Sequence, residues 1–351
     1  MSEYLYYPII KTRDAELRCF SNLDDEINSQ ILPIYELTKS RKAKKAPDGD
    51  IHRRMKQIGE IQKGRPFILD LCTSPKYINP QIEQLIDPYN GFMDWQYFLN
   101  LYKNLDIIPM VHIYEDEESS FDDVKRFVSS VSKIKNRIAV RLPYDLDRGE
   151  YEFYLAPIIG SMHPKCSLIV LLDANYIRKE AESGIKQLIG TFVASINEVS
   201  SLPRIDDVVM LCTSFPSSPA KEGKEDAEGK FRIYEERLYQ GIRESVPVKY
   251  GDYASINTEQ IEMKGGTFVP RIDIALTNEF IYKRYRRGDG SYPRCAKAML
   301  NDAEYTRLDF WPDTEILLAS QDTPTGISPS FWISVRMSYY IKSRVNLRLL
   351  D

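Results

Sequence analysis

Six apolar runs in this chain each end in a polar side chain, and the six comprise two cations, three carboxylates and a histidine. Lys11 follows Pro8-Ile9-Ile10, Glu36 follows Pro33-Ile34-Tyr35, and Asp70 follows Pro66-Phe67-Ile68-Leu69. His112 follows Pro109-Met110-Val111, Arg141 follows Ile138-Ala139-Val140, and Asp173 closes the run from Leu168 to Leu172. Three carboxylates and a histidine brought to one place could hold a divalent cation through hard oxygen ligands. If burial drives their pKa values apart, they could instead supply a general acid and base, so Glu36, Asp70, His112 and Asp173 are the catalytic candidates. Lys11, Arg13 and Arg141 could clamp an anionic group such as a phosphate, with Tyr250 and Asp252 as further ligand-binding candidates. A second reading of the same residues stays open. Lys11 and Arg141 would pair with Glu36, Asp70 or Asp173 in a self-neutralising network.

Such residues meet only if the runs that carry them are strands of one sheet. Near-continuous apolar runs suit parallel strands buried on both faces, and the four prolines read as first residues of strands, where no ladder N–H is needed. Between the runs lie segments of helical spacing, 14–23, 122–134, 180–199 and 231–242. Alternating strands and helices imply βαβ units with right-handed crossovers. With 248–253 as the last strand there are about eight units, the number that closes into a (β/α)8 TIM-like barrel. The competitor, an open doubly wound sheet, usually begins with a glycine-rich turn, and Lys11-Thr12-Arg13-Asp14 has no glycine. In a barrel the loops after the strands build the functional end, so the polar residues should line its C-terminal mouth.

The chain has 351 residues, 43% hydrophobic and 28% charged, enough for a sizeable core. Residues 1–253 are expected to form the barrel and 254–351 an extension that completes or caps it, within a single structural domain. The segment 216–230, rich in Pro, Ser, Gly and charge, reads as a mobile loop that gates the mouth. A net charge of −4 argues against a protein that binds nucleic acid over its whole surface but leaves local patches open. Two basic clusters stand out, 39–45 and 283–287, the second interleaving tyrosine with arginine as base-stacking surfaces do. The five cysteines have no paired spacing, which points to reduced thiols and a cytoplasmic location. No run approaches the roughly 18 apolar residues of a membrane helix, and the N-terminus lacks signal-peptide character. Walker loops, dinucleotide fingerprints, zinc spacings and nucleophile elbows are absent from the sequence.

The opening stretch from Tyr7 to Leu17, followed by Pro33 to Arg41 and by Gly251-Asp252-Tyr253, resembles the phage beta-protein family, of the T-even phage type. The resemblance brings no activity and no residue roles. It implies a setting in phage–host conflict, as antiphage defence or as a prophage product. Two functions are therefore expected as alternatives. One is a barrel that binds or processes a phosphate-bearing ligand, such as a nucleotide or nucleic-acid end, at its mouth. The other is a non-catalytic interaction protein that uses the barrel as a scaffold for a partner protein or nucleic acid.

Overall fold

The computed structural model describes residues 4–114, 121–258 and 268–350. Eight parallel strands close into a barrel: β1 (Tyr6–Lys11), β2 (Ile34–Leu37), β3 (Phe67–Leu71), β4 (Ile107–Val111), β5 (Arg137–Pro143), β6 (Ser167–Tyr176), β7 (Ile205–Thr213) and β9 (Lys249–Asp252). β8 (Glu228–Arg232) leaves the barrel. It forms a separate antiparallel sheet with β11 (Glu279–Arg284), which also pairs with β10 (Arg271–Ala275). The expected (β/α)8 architecture is thus present.

None of the four prolines is the first residue of its strand: Pro33 and Pro66 stand immediately before β2 and β3. Pro8 and Pro109 are each the third residue, and both sit where the ladder changes neighbour. Residues 6–8 of β1 pair with β9 and residues 9–11 with β2. Residues 107–109 of β4 pair with β3, and residues 110 and 111 with β5. The missing N–H therefore falls at the changeover between partners.

Side chains alternate along each strand, and the alternation sorts them into two cores. Odd positions of β1 and their equivalents point inward: Tyr7, Ile9, Ile34, Ile68, Met110, Ala139, Leu171, Val209 and Leu211 fill the barrel. The other parity, including Ile10, Tyr35, Leu69, Val140, Val170 and Met210, packs outward against the helices. Each fully buried aliphatic side chain contributes roughly 1.5–3 kcal/mol. Gly251 is an inward position of β9. A Cβ there would lie 2.6 Å from Leu211 Cδ2 and 2.9 Å from the carbonyl oxygens of Met210 and Tyr7, so the filled interior admits only glycine.

The surrounding helices present single apolar stripes to this outer layer. Val124, Phe127, Val128 and Val131 are the buried residues of helix Asp122–Val131, and Ile185, Leu188, Phe192, Ile196 and Val199 are buried along Arg178–Ser200. The sequence places a helix over 231–242, but it begins only at Glu235, because Phe231 lies on β8 and packs into a second apolar core. Segment 216–230 is not a plain loop either. It contains a helical turn, Pro219–Glu222, and the first half of β8. The second core joins the three-stranded sheet to helices Ser291–Leu300, Trp311–Ser320 and Pro329–Leu350. The last helix serves both cores, giving Met337, Ile341 and Val345 to the barrel side and Trp332, Val335 and Tyr339 to the other.

Candidate functional site at the barrel mouth

The inward parity that carries Ile9, Ile34, Ile68, Met110, Ala139 and Leu171 brings Lys11, Glu36, Asp70, His112, Arg141 and Asp173 to the next layer, at the C-terminal end. Lys11 is paired in register with Glu36, and Glu36 with Asp70. Lys11 Nζ lies 2.5 Å from Glu36 Oε2. Arg141 occupies the centre. Its NH2 is 3.1 Å from Asp70 Oδ2 and 3.5 Å from Glu36 Oε1, and its NH1 is 3.8 Å from Asp173 Oδ2. Tyr253, the inward residue two after Gly251, donates its hydroxyl to Asp173 Oδ2 at 2.6 Å. The Leu71 and Asn175 N–H groups hold the remaining oxygens, Asp70 Oδ1 and Asp173 Oδ1. Residues distant in sequence are therefore neighbours in one layer at the C-terminal end of the barrel.

Burial and charge set their proton affinities apart. Burial lifts Asp70 to about 6 against the pull of Arg141, and burial with the positive charge of Arg141 lowers His112 to about 4. Glu36 is also buried, but Arg141 and Lys11 outweigh that and hold it below the usual carboxylate range. Asp173 is raised by burial, with Arg141 and the Tyr253 hydroxyl opposing. Lys11 is desolvated, yet the Glu36 carboxylate keeps its pKa above the ordinary lysine value. Among the described residues His112 Nε2 has no hydrogen-bond partner, and it lies 3.9 Å from Asp70 Oδ1.

Above this layer opens a cavity of about 880 Å³. Lys11, Glu36, Arg141, Asp173 and Tyr253 face it, while Asp70 and His112 are not among the residues that line it. Arg13, expected as a ligand-binding residue, stands on the rim, its NH1 3.2 Å from the Tyr77 hydroxyl. Lys11, Arg13 and Lys76 place their cations 5.9, 5.2 and 5.6 Å from the centre of the Tyr77 ring. On the β6 and β9 side the wall is made of Asn175, Asn257 and Thr258. The cavity thus has the cations Lys11, Arg13 and Lys76 over β1 to β3, beside the carboxylates of Glu16 and Glu36, and a polar arc over β6 to β9 in which Asp173 is the one acid among the described residues.

Tyr250 and Asp252 are not at this mouth. Their strand parity is the opposite one, so they point outward beneath the C-terminal helix. Asp252 accepts hydrogen bonds from the hydroxyls of Tyr6, Tyr250 and Tyr340 at 2.5, 2.5 and 2.6 Å and from the Ala254 N–H. No group of three or more His, Cys, Asp or Glu among the described residues is placed to hold a metal ion. The Arg141 guanidinium already stands between the carboxylates. No residue of 216–230 lines the cavity. The basic cluster 283–287 is largely consumed by acids: Lys283 pairs with Glu228 and Asp302 at 2.7 and 2.8 Å, Arg284 with Asp226, and the Tyr285 hydroxyl with Glu228. In the other cluster, Arg41 pairs with Asp14 at 2.5 Å.

Tyr77, Lys76, Asn175 and Tyr253 belong to the cavity wall although no strand-end run in the sequence marks them. Tyr253 was accessible, since it continues the inward alternation set by Tyr7, Ile9 and Lys11 across neighbouring strands. Tyr77 and Lys76 sit in a loop with no periodicity to mark them. No helix among the described residues is long and apolar enough to cross a membrane.

A family model described as Beta protein matches residues 6–346. Protein beta of Enterobacteria phage P4 is 29% identical over an alignment that covers 98% of this chain and 94% of the relative. That relative comes from phage P4 rather than a T-even phage, and the match spans the barrel, its mouth and the second core together. The chain belongs to the Beta protein family.

Proposed function

We propose that the barrel mouth binds a phosphate-bearing ligand, such as a nucleotide or a nucleic-acid end. The observation that carries this reading is the cationic arc of Lys11, Arg13 and Lys76 around Tyr77, on the wall of an 880 Å³ cavity floored by Arg141. Glu36 already holds Lys11, and Arg141 is shared among three carboxylates. Lys76 has no ion pair among the described residues, and Arg13 has only Glu16 at 3.9 Å, so these two carry charge available to an anion. A cavity of several hundred Å³ suits a ligand of nucleotide size, with an aromatic ring at its edge and a few convergent polar groups.

Within this reading Asp173 is the group that exchanges a proton with the ligand, since it faces the cavity and burial favours its protonated form. Asp70 and His112 act as positioning residues through Arg141. The phage relative supports a phage setting, which we read as phage–host conflict, either as defence or as a prophage product. The competing interaction surface at 283–287 is weakened by its internal ion pairs.

Isothermal titration with inorganic phosphate, nucleoside monophosphates and a 5′-phosphorylated dinucleotide tests the proposal. Arg13→Ala/Lys76→Ala should weaken binding about tenfold or more, as loss of two charge-assisted contacts implies, with an unchanged melting temperature. Wild-type protein that takes up none of these ligands, or a double variant that binds them as well as wild type, would refute it.

A further inference from the structure

At the opposite end of the barrel lies a second charged surface. From Val124 to Tyr144 the chain carries Lys125, Arg126, Lys133, Lys135, Arg137 and Arg141 and no Asp or Glu, in a protein whose net charge is negative. Arg141 points into the barrel, but the other five lie on the outer wall and the N-terminal end. Lys125, Arg126 and Lys133 line a groove of about 600 Å³ between helices Asp122–Val131 and Glu150–Ser161. Among the described residues the rest of its lining is Ser129, Ser130, Gly160 and Ser161, with no acid. The next residues, Ile134, Lys135 and Arg137, line an adjoining groove of about 400 Å³ with Lys103, where Asp106 is the one carboxylate. Lys125 and Arg126 lean on Asp122 and Asp123 of their own helix at 3.3 and 3.8 Å. Lys103, Lys133 and Arg137 form no ion pair among the described residues, while Lys135 is half-buried and feels the Asp106 carboxylate.

We infer that this band is a docking surface for the phosphate backbone of nucleic acid. Unpaired cations on a negatively charged protein attract a polyanion, and hydroxyls such as those of Ser129, Ser130 and Ser161 donate hydrogen bonds to phosphate oxygens. The cations run along two successive grooves instead of converging on one point. That arrangement matches a chain of phosphates better than a single one. A membrane surface is the weaker fit, because among the described residues Ile134 is the only large apolar side chain exposed in the band, and interfacial insertion needs a broader apolar face. Recognition of this kind reads the backbone, so binding is independent of base sequence. It lies at the far end of the barrel from the mouth and does not depend on what the mouth binds.

The test is fluorescence anisotropy of a labelled DNA duplex of arbitrary sequence, against wild type and Lys103→Glu/Arg126→Glu/Lys133→Glu, three exposed positions. Wild type should bind at low salt, with log affinity falling against log salt at a slope of about −4 to −5, as four to six neutralised phosphates require. The triple variant should lose about tenfold or more of that affinity while melting like wild type. Should the reversal impair folding, Lys103→Gln/Lys133→Gln serves as the milder substitute, with a smaller loss and a flatter slope. Arg13→Ala/Lys76→Ala at the mouth should leave duplex binding intact. The inference is overturned if wild type binds no duplex at low salt, if the charge variants bind as well as wild type, or if the mouth variant abolishes duplex binding. Attachment to phosphatidylserine vesicles in place of the duplex overturns it equally.

Discussion

The Arg141 guanidinium lies 3.1 Å from Asp70 Oδ2 although β4 runs between the strands that carry them. It crosses the barrel interior rather than pairing along the wall, and from there also meets Glu36 on β2 and Asp173 on β6. One cation therefore compensates carboxylates from three strands.

Removing that cation should destabilise the fold, and the loss should depend on pH. Arg141→Gln leaves buried carboxylates uncompensated, a change worth about 3–5 kcal/mol in comparable buried pairs. Because Asp70 without Arg141 can escape the penalty by taking a proton, chemical denaturation should show a smaller loss at pH 5 than at pH 8. Equal losses at both values would mean that Asp70 is not what Arg141 compensates.

Asp70 and His112 should pull stability in opposite directions between about pH 4 and 6. Asp70 titrates at about 6 when folded, above its ordinary 3.8, so its contribution is fully present below the unfolded value and fades as pH rises through 6. His112 titrates at about 4 when folded, below its ordinary 6.5, so its contribution is lost as pH falls from 6.5 towards 4. Each amounts to about 3 kcal/mol, and in the wild type they offset each other. Asp70→Asn should leave stability rising with pH over this window, and His112→Gln should leave it falling. Parallel slopes in the two variants would contradict the assignment.

Gly251→Ala should cost about 1–3 kcal/mol, since the added methyl meets Leu211 and two carbonyl oxygens in a filled interior. Leu211→Ala in the same chain should relieve only part of that loss, because the backbone contacts remain. Full rescue would show that the barrel backbone is more yielding than its packing implies.

Tyr340→Phe removes one of three hydroxyls that Asp252 accepts from in a buried setting. The expected loss is about 1–3 kcal/mol of stability with no change in affinity for any ligand of the mouth. A variant of native stability that no longer binds phosphate would return Tyr250 and Asp252 to the candidate site.

Much of this arrangement is legible in the sequence because the barrel strands are short apolar runs with a polar end. Glu36, Asp70 and Asp173 each follow an inward aliphatic residue by two positions, and that spacing alone places them in one layer. The same rule separates Tyr253, which faces in, from Tyr250 and Asp252, which face out, but the polar character of all three hides the difference when residue type is read without parity. Pro8 and Pro109 are likewise misread as strand starts because stagger between neighbouring strands depends on closure of the whole barrel. Tyr77 and Lys76 lie on a loop that Tyr77 ties to Lys11, Arg13 and the Lys39 N–H, and local spacing says nothing about it. The pairing of β8 with β11 joins residues about fifty positions apart, beyond what local pattern reports.

The C-terminal helix Pro329–Leu350 contributes side chains to both apolar cores and carries the buried Arg344, whose guanidinium donates to the Leu276 and Thr277 carbonyls. Neither half of the molecule can lose this spine and keep its own interior sealed. Heat or denaturant should accordingly unfold barrel and flanking sheet in one shared step, and trimming the tail back to the start of that helix should unravel the parallel strands along with the module it was trimmed from.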